Sequence, residues 1–422
     1  MTMKHRVNLL LTVLMLCGLL FGNVVYAKEK LVIMGYFASG WGETLQKDVQ
    51  AFAQANNIDI EVLNQPNRGT NKSKVALMVT SGESPDVLYG DGDELCYFIH
   101  NKLALPLDAY IARDGVNMKR FPAATLDIFN LYGSQWVLPT AVSIYNVYYN
   151  VNMLDNAGVN PPPASWESDK FTWNDMIEMA RKLTVDANGD GTPERWGIFY
   201  NGTIGAFSHI GLWNQWWVSK DVTEYYGDTP AVISAMEQLT SLWTMNKVNG
   251  GKLLAGTAAM EFTQSFFLNE LKTASAKGTA PDWSVGILPK GTHRWDQAGF
   301  HGLTIASGSK NPDMAWKLIK YLAMDTEGVT AFTRGENRVP VIKEAAIDFA
   351  KRTMDLIGPD RITAFTGAPN YVYDLRFWRT ADATKIMTVV SGAITDVING
   401  KMSVRQALES TAPAARSYLV KK

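Results

Sequence analysis

Short apolar segments alternate with amphipathic helical segments near the start of the chain. Leu31–Met34, Ile58–Val62 and Asp86–Tyr89 have the composition of buried strands. Two segments between them, around Val49 and around Val75–Val79, repeat apolar residues at the spacing of one helix face. Because consecutive parallel strands require a crossover helix, the alternation predicts an α/β fold with a mostly parallel sheet covered on both faces. Ligands of such sheets bind at the carboxyl ends of the strands.

The composition excludes several classes of protein. Of 422 residues, 46% are hydrophobic and 11% are aromatic, which is too apolar for a disordered chain. A nucleic-acid-binding protein is normally clearly basic, whereas 40 Lys and Arg residues here face 41 Asp and Glu residues. The length corresponds to about two to three domains. We therefore expect a globular protein that has no nucleic-acid partner.

Residues 1–27 have the pattern of a cleaved signal peptide. Lys4 and Arg6 give a positive start, Val7–Gly22 is almost wholly apolar, and Val25–Ala27 places small residues where signal peptidase reads them. An uncleaved anchor is the alternative, but the apolar run is shorter than the roughly 20 residues that span a bilayer. The pattern predicts export.

The two cysteines indicate whether the exported chain carries a lipid anchor or a disulfide. Leu16 precedes Cys17, whereas a lipidation signal has a small residue at that position. We therefore expect a periplasmic protein without a lipid anchor. Cys96 is then the one cysteine left after cleavage, so no intrachain disulfide forms, and its apolar neighbours predict a buried, unreactive thiol.

Sequence signatures of catalysis and of metal binding are absent. There is no His-Glu-x-x-His, no Cys-x-x-Cys, no Gly-x-Ser-x-Gly and no phosphate-binding Gly-rich loop, and the histidines are widely scattered. Asp186–Gly191 resembles the first half of a calcium loop, but Gly197 stands where the bidentate Glu is needed. A tight Asx and Gly turn is the alternative, and Glu194 is a further carboxylate that a calcium site would use. We expect no metal and no cofactor.

The chain is rich in aromatic residues, and several of them are clustered. Trp213, Trp216 and Trp217 fall within five residues together with Asn214 and Gln215. A single helix or strand cannot bury all three indoles on one face, which predicts an exposed ring. Aromatic faces stack on the C–H faces of sugar rings, while amides and carboxylates hydrogen-bond the hydroxyls, so the mixture favours an uncharged, polyhydroxylated ligand.

Three further segments have a recognisable local pattern, one of an extended strand and two of helix starts. Trp136–Asn150 reads as extended over its whole length, enough to cross from one domain to another. Thr172 followed three residues later by Asp175 predicts a capped helix start, and Asn311-Pro312 predicts another.

Motifs spread over nearly the whole exported chain resemble the extracellular solute-binding proteins of ABC importers, in the sugar-binding group that includes maltose-binding protein. They occur in the order found in that family. The motifs are Ser81–Val87, Leu105–Asp108, Gly133–Pro139, Tyr148–Asn150, Leu154–Gly158, Thr172–Asp175, Ala258–Met260, Ile287–Pro289, Ser309–Pro312, Val339–Pro340 and Gly400–Val404.

The resemblance implies a two-lobed periplasmic binding protein fold of type II, with a ligand cleft between lobes joined by hinge segments. It places residues 28–141 plus 302–352 in lobe 1 and residues 142–301 plus 353–422 in lobe 2. The chain then crosses between lobes near 141–143, near 300–302 and near 350–358. It also implies a monomer without catalytic activity that captures a sugar or oligosaccharide by lobe closure and delivers it to the permease subunits of an ABC transporter.

Ligand-binding residues are expected after strands and at the crossings. Ser143 stands at a crossing where maltose-binding protein has a carboxylate, so the ligand is not expected to be maltose. For Asp93 a helix N-terminal acid is the alternative role, for His301 a hydrogen-bonded hinge histidine, and for Arg376 a salt-bridged surface. The full set of expected ligand-binding residues is Gly40, Trp41, Glu43, Asp91, Asp93, Ser143, Tyr145, Trp213, Trp217, Phe266, Phe300, His301, Arg376 and Trp378.

Two other functions remain open at this point. A secreted glycoside-active enzyme would use a carboxylate pair such as Asp91 and Asp93. A binding protein for another solute would differ in the charged residues of its cleft. A polyamine requires several acidic residues there, and a phosphorylated ligand would be bound mainly by Arg376 and Arg379.

Overall fold

A computed structural model describes residues 28–37, 41–335 and 338–420. The predicted signal peptide, residues 1–27, and the predicted ligand residue Gly40 lie outside these ranges.

Strands in the described residues form two larger sheets and two short pairs. The six-stranded sheet has the order β2-β1-β3-β12-β6-β13 and the four-stranded sheet the order β8-β9-β7-β10. The short pairs are β4 with β5 and β11 with β14. The strands are β1 Glu29–Gly35, β2 Ile58–Asn64, β3 Val87–Asp91, β4 Asn130–Leu131, β5 Ser134–Gln135, β6 Leu138–Ser143, β7 Tyr145–Asn150, β8 Trp196–Tyr200, β9 Ala258–Gln264, β10 Trp283–Gly286, β11 Asp296–Gln297, β12 Gly299–Ile305, β13 Val339–Pro340 and β14 Val372–Tyr373.

Helices cover both larger sheets. Among the described residues, none is both long and apolar enough to cross a membrane. The α-helices are α1 Trp41–Asp48, α2 Gln50–Ala55, α3 Arg68–Thr80, α4 Gly92–His100, α5 Asp108–Arg113, α6 Ala123–Asp127, α7 Val151–Asn156, α8 Trp173–Leu183, α9 Gly202–Ser208, α10 Pro230–Thr244, α11 Phe267–Ala276, α12 Pro312–Met324, α13 Thr326–Arg334, α14 Lys343–Ile357, α15 Thr363–Thr366, α16 Ala383–Ile398 and α17 Val404–Ser417. Short 3₁₀ helices lie at Met118–Arg120, Ile210–Trp213, Pro359–Arg361, Ala368–Asn370 and Phe377–Arg379.

The predicted strand and helix alternation is confirmed. β1 lies between β2 and β3 and is parallel to both. The helical segment between β1 and β2 is two short helices, α1 and α2, that meet at Val49. Val49 and Leu45 are fully buried, so both helices still place the predicted apolar face on the sheet.

Two local signals are also confirmed. Thr172 and Asp175 form a capping box at the start of α8, in which Thr172 Oγ1 accepts from the Asp175 N–H at 3.2 Å. Pro312 is the first residue of α12, as predicted, but the Asn311 side chain makes no capping hydrogen bond. Cys96 is buried and unpaired, and burial raises the pKa of its thiol far above the ordinary value, as expected for an unreactive cysteine.

The extended run at 136–150 links the two larger sheets. β6 ends at Ser143 and β7 begins at Tyr145, so Ile144 alone separates a strand of the six-stranded sheet from a strand of the four-stranded sheet. β12 pairs antiparallel with β6, and Gly299 lies opposite Ser143. The predicted third crossing falls at the end of α14, where Gly358 has a φ of 83°. The lobe boundaries stay predictions.

Two glycines allow the packing of the fold to be tested. A Cβ on Gly197 in β8 would lie 1.9 Å from the carbonyl oxygen of Ala180 in α8, whereas a Cβ on Gly392 in α16 would meet nothing within 4 Å. We expect Gly197→Ala to destabilise the protein by about 2–3 kcal/mol through overpacking. Gly392→Ala is expected to stabilise it by about 1 kcal/mol through helix propensity. Urea unfolding of both variants and the parent measures this, and equal midpoints would contradict it.

Candidate ligand-binding cleft

A cavity of about 790 Å³ lies between the two larger sheets. Residues that directly follow β1 and β3 form one wall, among them Tyr36 and Gly92. Residues at the end of β9 and the start of α11 form the opposite wall, including Gln264 and Phe266. The floor comes from the crossing strands, including Ser143. Such a position at strand ends is where open α/β sheets bind ligands.

The structure brings together many of the residues expected from the sequence. Those that line the cavity are Asp91, Asp93, Ser143, Tyr145, Phe266, Phe300, His301 and Trp378. Phe266 is 47% exposed, which is unusual for so large an apolar ring, and Trp378 is partly buried. These two rings are therefore more accessible to a ligand than Tyr145 and Phe300, which are 8% and 3% exposed.

Two tryptophans expected to bind the ligand belong to the core instead. Trp41 is 2% exposed and packs edge-on against Phe37, Tyr89 and Phe332. Trp217 is fully buried. Its ring stacks on Phe207 at 4.8 Å, and its Nε1 donates to the Phe207 carbonyl at 2.9 Å. Because both rings are already covered by protein, neither is a stacking platform for a ligand.

Three further residues expected to bind the ligand do not line the cavity. Trp213 packs edge-on against Trp173. Glu43 is exposed in the first turn of α1, outside the cavity lining. Arg376 places its guanidinium 3.9 Å from the ring centroid of Trp216, which is a cation–π contact.

A network of ion pairs holds the acidic wall. Asp91 is the N-cap of α4 and forms a reciprocal capping box with Glu94, and the Arg68 Nε lies 2.8 Å from the second Asp91 oxygen. Asp93 pairs with Lys72 at 2.8 Å. Burial is the main cause that raises the pKa of Asp93. The carboxylates of this wall are thus compensated by neighbouring cations before any ligand binds.

The floor contains a buried histidine with fixed partners. His301 is 3% exposed; its Nδ1 lies 2.6 Å from Arg338 Nη1 and its Nε2 lies 3.1 Å from Ser143 Oγ. Burial, and then the charges of Arg338 and Arg68, lower the pKa of His301 well below its usual value. His301 therefore remains neutral.

A second buried contact joins the floor to the short sheet pair. Asp296 in β11 accepts the backbone N–H of Tyr145 at 2.9 Å. Burial raises the pKa of Asp296 well above its ordinary value and so favours the neutral, protonated carboxyl. Burial also raises the pKa of the Tyr145 phenol.

Several cavity residues were not anticipated from the sequence. Tyr36 follows β1 and Arg68 follows β2. Ligands of open α/β sheets bind at the carboxyl ends of the strands, so this position could have pointed to both residues. Arg338 precedes β13 and has no local signal, because its partners Tyr89 and His301 lie far away in the sequence. The unanticipated polar and aromatic residues are Tyr36, Arg68, Phe207, Ser208, Gln264, Asn269, Glu270, Gln297, Arg338 and Ser391.

The calcium-like segment forms the turn that was the alternative. Asp186 accepts the N–H groups of Gly189 and Gly191 at 2.8 and 2.9 Å, and Asn188 accepts that of Asp190 at 2.8 Å. These oxygens stabilise the turn itself. In the ranges that the structure describes, no group of three or more His, Cys, Asp or Glu residues is arranged to hold a metal ion.

Comparison with known proteins now identifies the family. The sequence profile of the bacterial extracellular solute-binding proteins matches residues 38–327. The chain belongs to this family. Its role is therefore that of a binding protein, as the motifs predicted.

Individual relatives agree with this assignment. The chain is 24% identical over 295 residues to the maltotriose-binding protein of Pyrococcus abyssi, covering 66% of this chain and 59% of that protein. It resembles an ABC substrate-binding protein of Listeria monocytogenes in complex with cycloalternan, with a TM-score of 0.74, 20% identity and coverage of 92% and 98%. A sugar transporter protein of Rhizobium etli in an open conformation gives a TM-score of 0.77, 16% identity and coverage of 93% and 100%. The two-lobed α/β fold is confirmed.

The core and cleft assignments of two aromatic residues give a test that needs no ligand. We expect Trp217→Ala to destabilise the protein by about 3–5 kcal/mol, because it removes a large buried side chain. Phe266→Ala is expected to change stability by no more than about 0.5 kcal/mol, because the ring is half exposed. Chemical denaturation of both variants checks this, and an equal loss in both would contradict the assignments.

Glu94 predicts a pH dependence of stability. Burial, and then the charge of Asp91, raises the pKa of Glu94 to about 8 in the folded state, against about 4.3 in an unfolded chain. Between these pH values the folded state binds the extra proton, so this stabilising contribution is complete below about pH 4.3 and is lost as the pH rises through about 8.

We expect Glu94→Gln to flatten the fall in the free energy of unfolding between about pH 5 and pH 8. Gln keeps the oxygen that accepts from Asn71 at 2.8 Å in the native protein. Urea unfolding across this range compares the two proteins, and parallel pH profiles would contradict the expectation.

Proposed function

We propose that this protein captures a sugar or oligosaccharide by closure of its two lobes and delivers it to the permease of an ABC transporter, without catalysing a reaction. It acts as a monomer in the periplasm after removal of residues 1–27. The lobes are residues 28–141 plus 302–352 and residues 142–301 plus 353–422. The observation that carries the proposal is a cleft that combines the rings of Phe266 and Trp378 with two acids, Asp91 and Asp93, that are already paired with cations.

The charges in the cleft favour an uncharged ligand. Arg68 is paired with Asp91, and Lys72 with Asp93. A ligand with a net charge would have to compete with these internal partners, whereas hydroxyl groups use the remaining lone pairs and N–H groups without breaking the pairs. Arg376 and Arg379, which a phosphorylated ligand would have needed, do not line the cavity. Arg379 is held by Asp127 and Asp374.

The aromatic residues favour a ring with apolar faces. Phe266 is exposed at one wall and Trp378 lines the same cavity. A sugar ring has C–H faces that cover such side chains and edge hydroxyls that reach Ser143, Gln264 or Asn269. The sugar ligands named for the Pyrococcus abyssi and Listeria monocytogenes relatives support the same ligand class.

A thermal-shift screen of the exported protein against mono-, di- and oligosaccharides tests the proposal. A sugar present at about 100 times its Kd should stabilise the protein by about 2.7 kcal/mol. Phe266→Ala should weaken binding about tenfold or more, equivalent to about 1.4 kcal/mol. Met245→Ala, which changes a residue that is 81% exposed and outside the cavity, is the control and should bind as the parent does. Absence of stabilisation by every sugar would overturn the proposal.

The absence of catalysis is tested with the stabilising sugar itself. Prolonged incubation should leave an oligosaccharide intact. Product release that Asp91→Asn abolishes would instead establish a glycoside-active enzyme.

A further inference from the structure

Three side chains form a continuous hydrogen-bonded chain beneath the cleft. Arg338 Nη1 contacts His301 Nδ1 at 2.6 Å and also donates to the Tyr89 hydroxyl. His301 Nε2 lies 3.1 Å from Ser143 Oγ. Arg338, His301 and Ser143 all line the cavity, although Ser143 and His301 are only 4% and 3% exposed. The chain therefore runs from a guanidinium in one wall to a hydroxyl in the floor.

The guanidinium determines which nitrogen of His301 carries the proton. Arginine has only N–H donors, so His301 Nδ1 must accept and must be unprotonated. A neutral imidazole then has its single proton on Nε2, and this N–H donates to Ser143 Oγ. The opposite tautomer would place an Nδ1–H against the Nη1–H groups of Arg338, two donors facing each other at 2.6 Å.

The position of the His301 proton also determines how the Ser143 hydroxyl takes part in hydrogen bonding. Its oxygen accepts from His301, so its own proton is available for another acceptor. Among the hydrogen bonds of the described residues, Ser143 Oγ has the His301 contact alone. Since Ser143 lines the cavity, this proton is directed toward the space in which a ligand would bind.

We propose that Arg338 is a positioning residue that fixes the tautomer of His301 and thereby presents the Ser143 hydroxyl as a hydrogen-bond donor to an oxygen atom of the ligand. The floor then selects ligands with an acceptor at this point, such as a ring, glycosidic or hydroxyl oxygen of a sugar. An ammonium group there would face a donor. The identity of the ligand rests on the proposed function, whereas the tautomer of His301 does not.

The tautomer is measured without any ligand by ¹⁵N NMR of the protein labelled at histidine, with His301→Gln used to assign the His301 signals. We expect an unprotonated Nδ1 and a protonated Nε2, with no titration near the usual histidine pKa of about 6.5, because burial and the charge of Arg338 disfavour the cationic imidazolium. In Arg338→Met the signals should shift toward a mixture of tautomers and titrate closer to the usual pKa of about 6.5. Arg338→Lys retains a donor and should restore the Nε2–H tautomer.

The spectra decide this part directly. A proton on His301 Nδ1 in the parent protein would overturn the proposal, and this measurement requires no variant of Arg338 to fold. An Arg338→Met spectrum identical to that of the parent would also overturn it, because the tautomer would then not depend on the guanidinium.

Binding of the stabilising sugar tests the second part. Ser143→Ala should weaken binding about tenfold, and Arg338→Met should weaken it by a similar factor. In the Ser143→Ala background Arg338→Met should have little further effect, because residues that act through one another are not additive. Ser391→Ala removes another hydroxyl of the cavity and is the control background, in which the full effect of Arg338→Met should persist.

Additive losses of affinity in the double variant Ser143→Ala with Arg338→Met would overturn the proposal. If no sugar binds to the parent protein, the proposed function is contradicted, whereas the NMR result on the His301 tautomer still stands.

Discussion

The antiparallel pairing of β6 with β12 is the contact on which the two lobes and the cleft depend. β6 continues through Ile144 into β7, so the strand that pairs in one sheet leads directly into the other. Beside it, Asp296 accepts the N–H of Tyr145, the first residue after the crossing. Burial raises the pKa of Asp296, and in its neutral form the carboxyl accepts this bond without the desolvation cost of a buried charge. The floor is therefore held by strand pairing and by a buried hydrogen bond. A ligand that contacts both walls above it can shift the balance between open and closed arrangements.

The charged wall illustrates how the proposed site for a neutral ligand would tolerate acidic residues. Asp91 caps the N-terminus of α4 and pairs with Arg68, so its charge is satisfied by the backbone N–H of Glu94 and by a guanidinium. Glu94 behind it avoids a second negative charge by retaining its proton, since burial and Asp91 raise its pKa to about 8. The polar groups are thus oriented before the ligand arrives. Pre-organisation of this kind reduces the ordering cost of binding.

Local patterns predicted the fold better than they predicted the site. The first three strands, the extended run at 136–150 and the Thr172 cap depend on residues close in sequence, so periodicity and capping rules detect them. The burial of Trp217 depends instead on stacking against Phe207, a tertiary contact that an aromatic-rich segment does not reveal. Arg338 lies 249 residues from Tyr89, and no pattern in the sequence joins them. Residues directly after strands were the part of the site that topology alone located.

Walls and floor make different demands on a ligand, and together these demands narrow its chemistry. Under the proposed function, Phe266 and Trp378 accept any flat apolar face, including that of an aromatic compound. The Ser143 hydroxyl adds a condition that an aromatic hydrocarbon does not meet, because a buried donor left without a partner costs about 1–3 kcal/mol. A sugar ring satisfies both, since it presents C–H groups on its faces and oxygen atoms at its edge. Discrimination among ligands of similar shape therefore arises from the polar floor, while the aromatic walls contribute contact area.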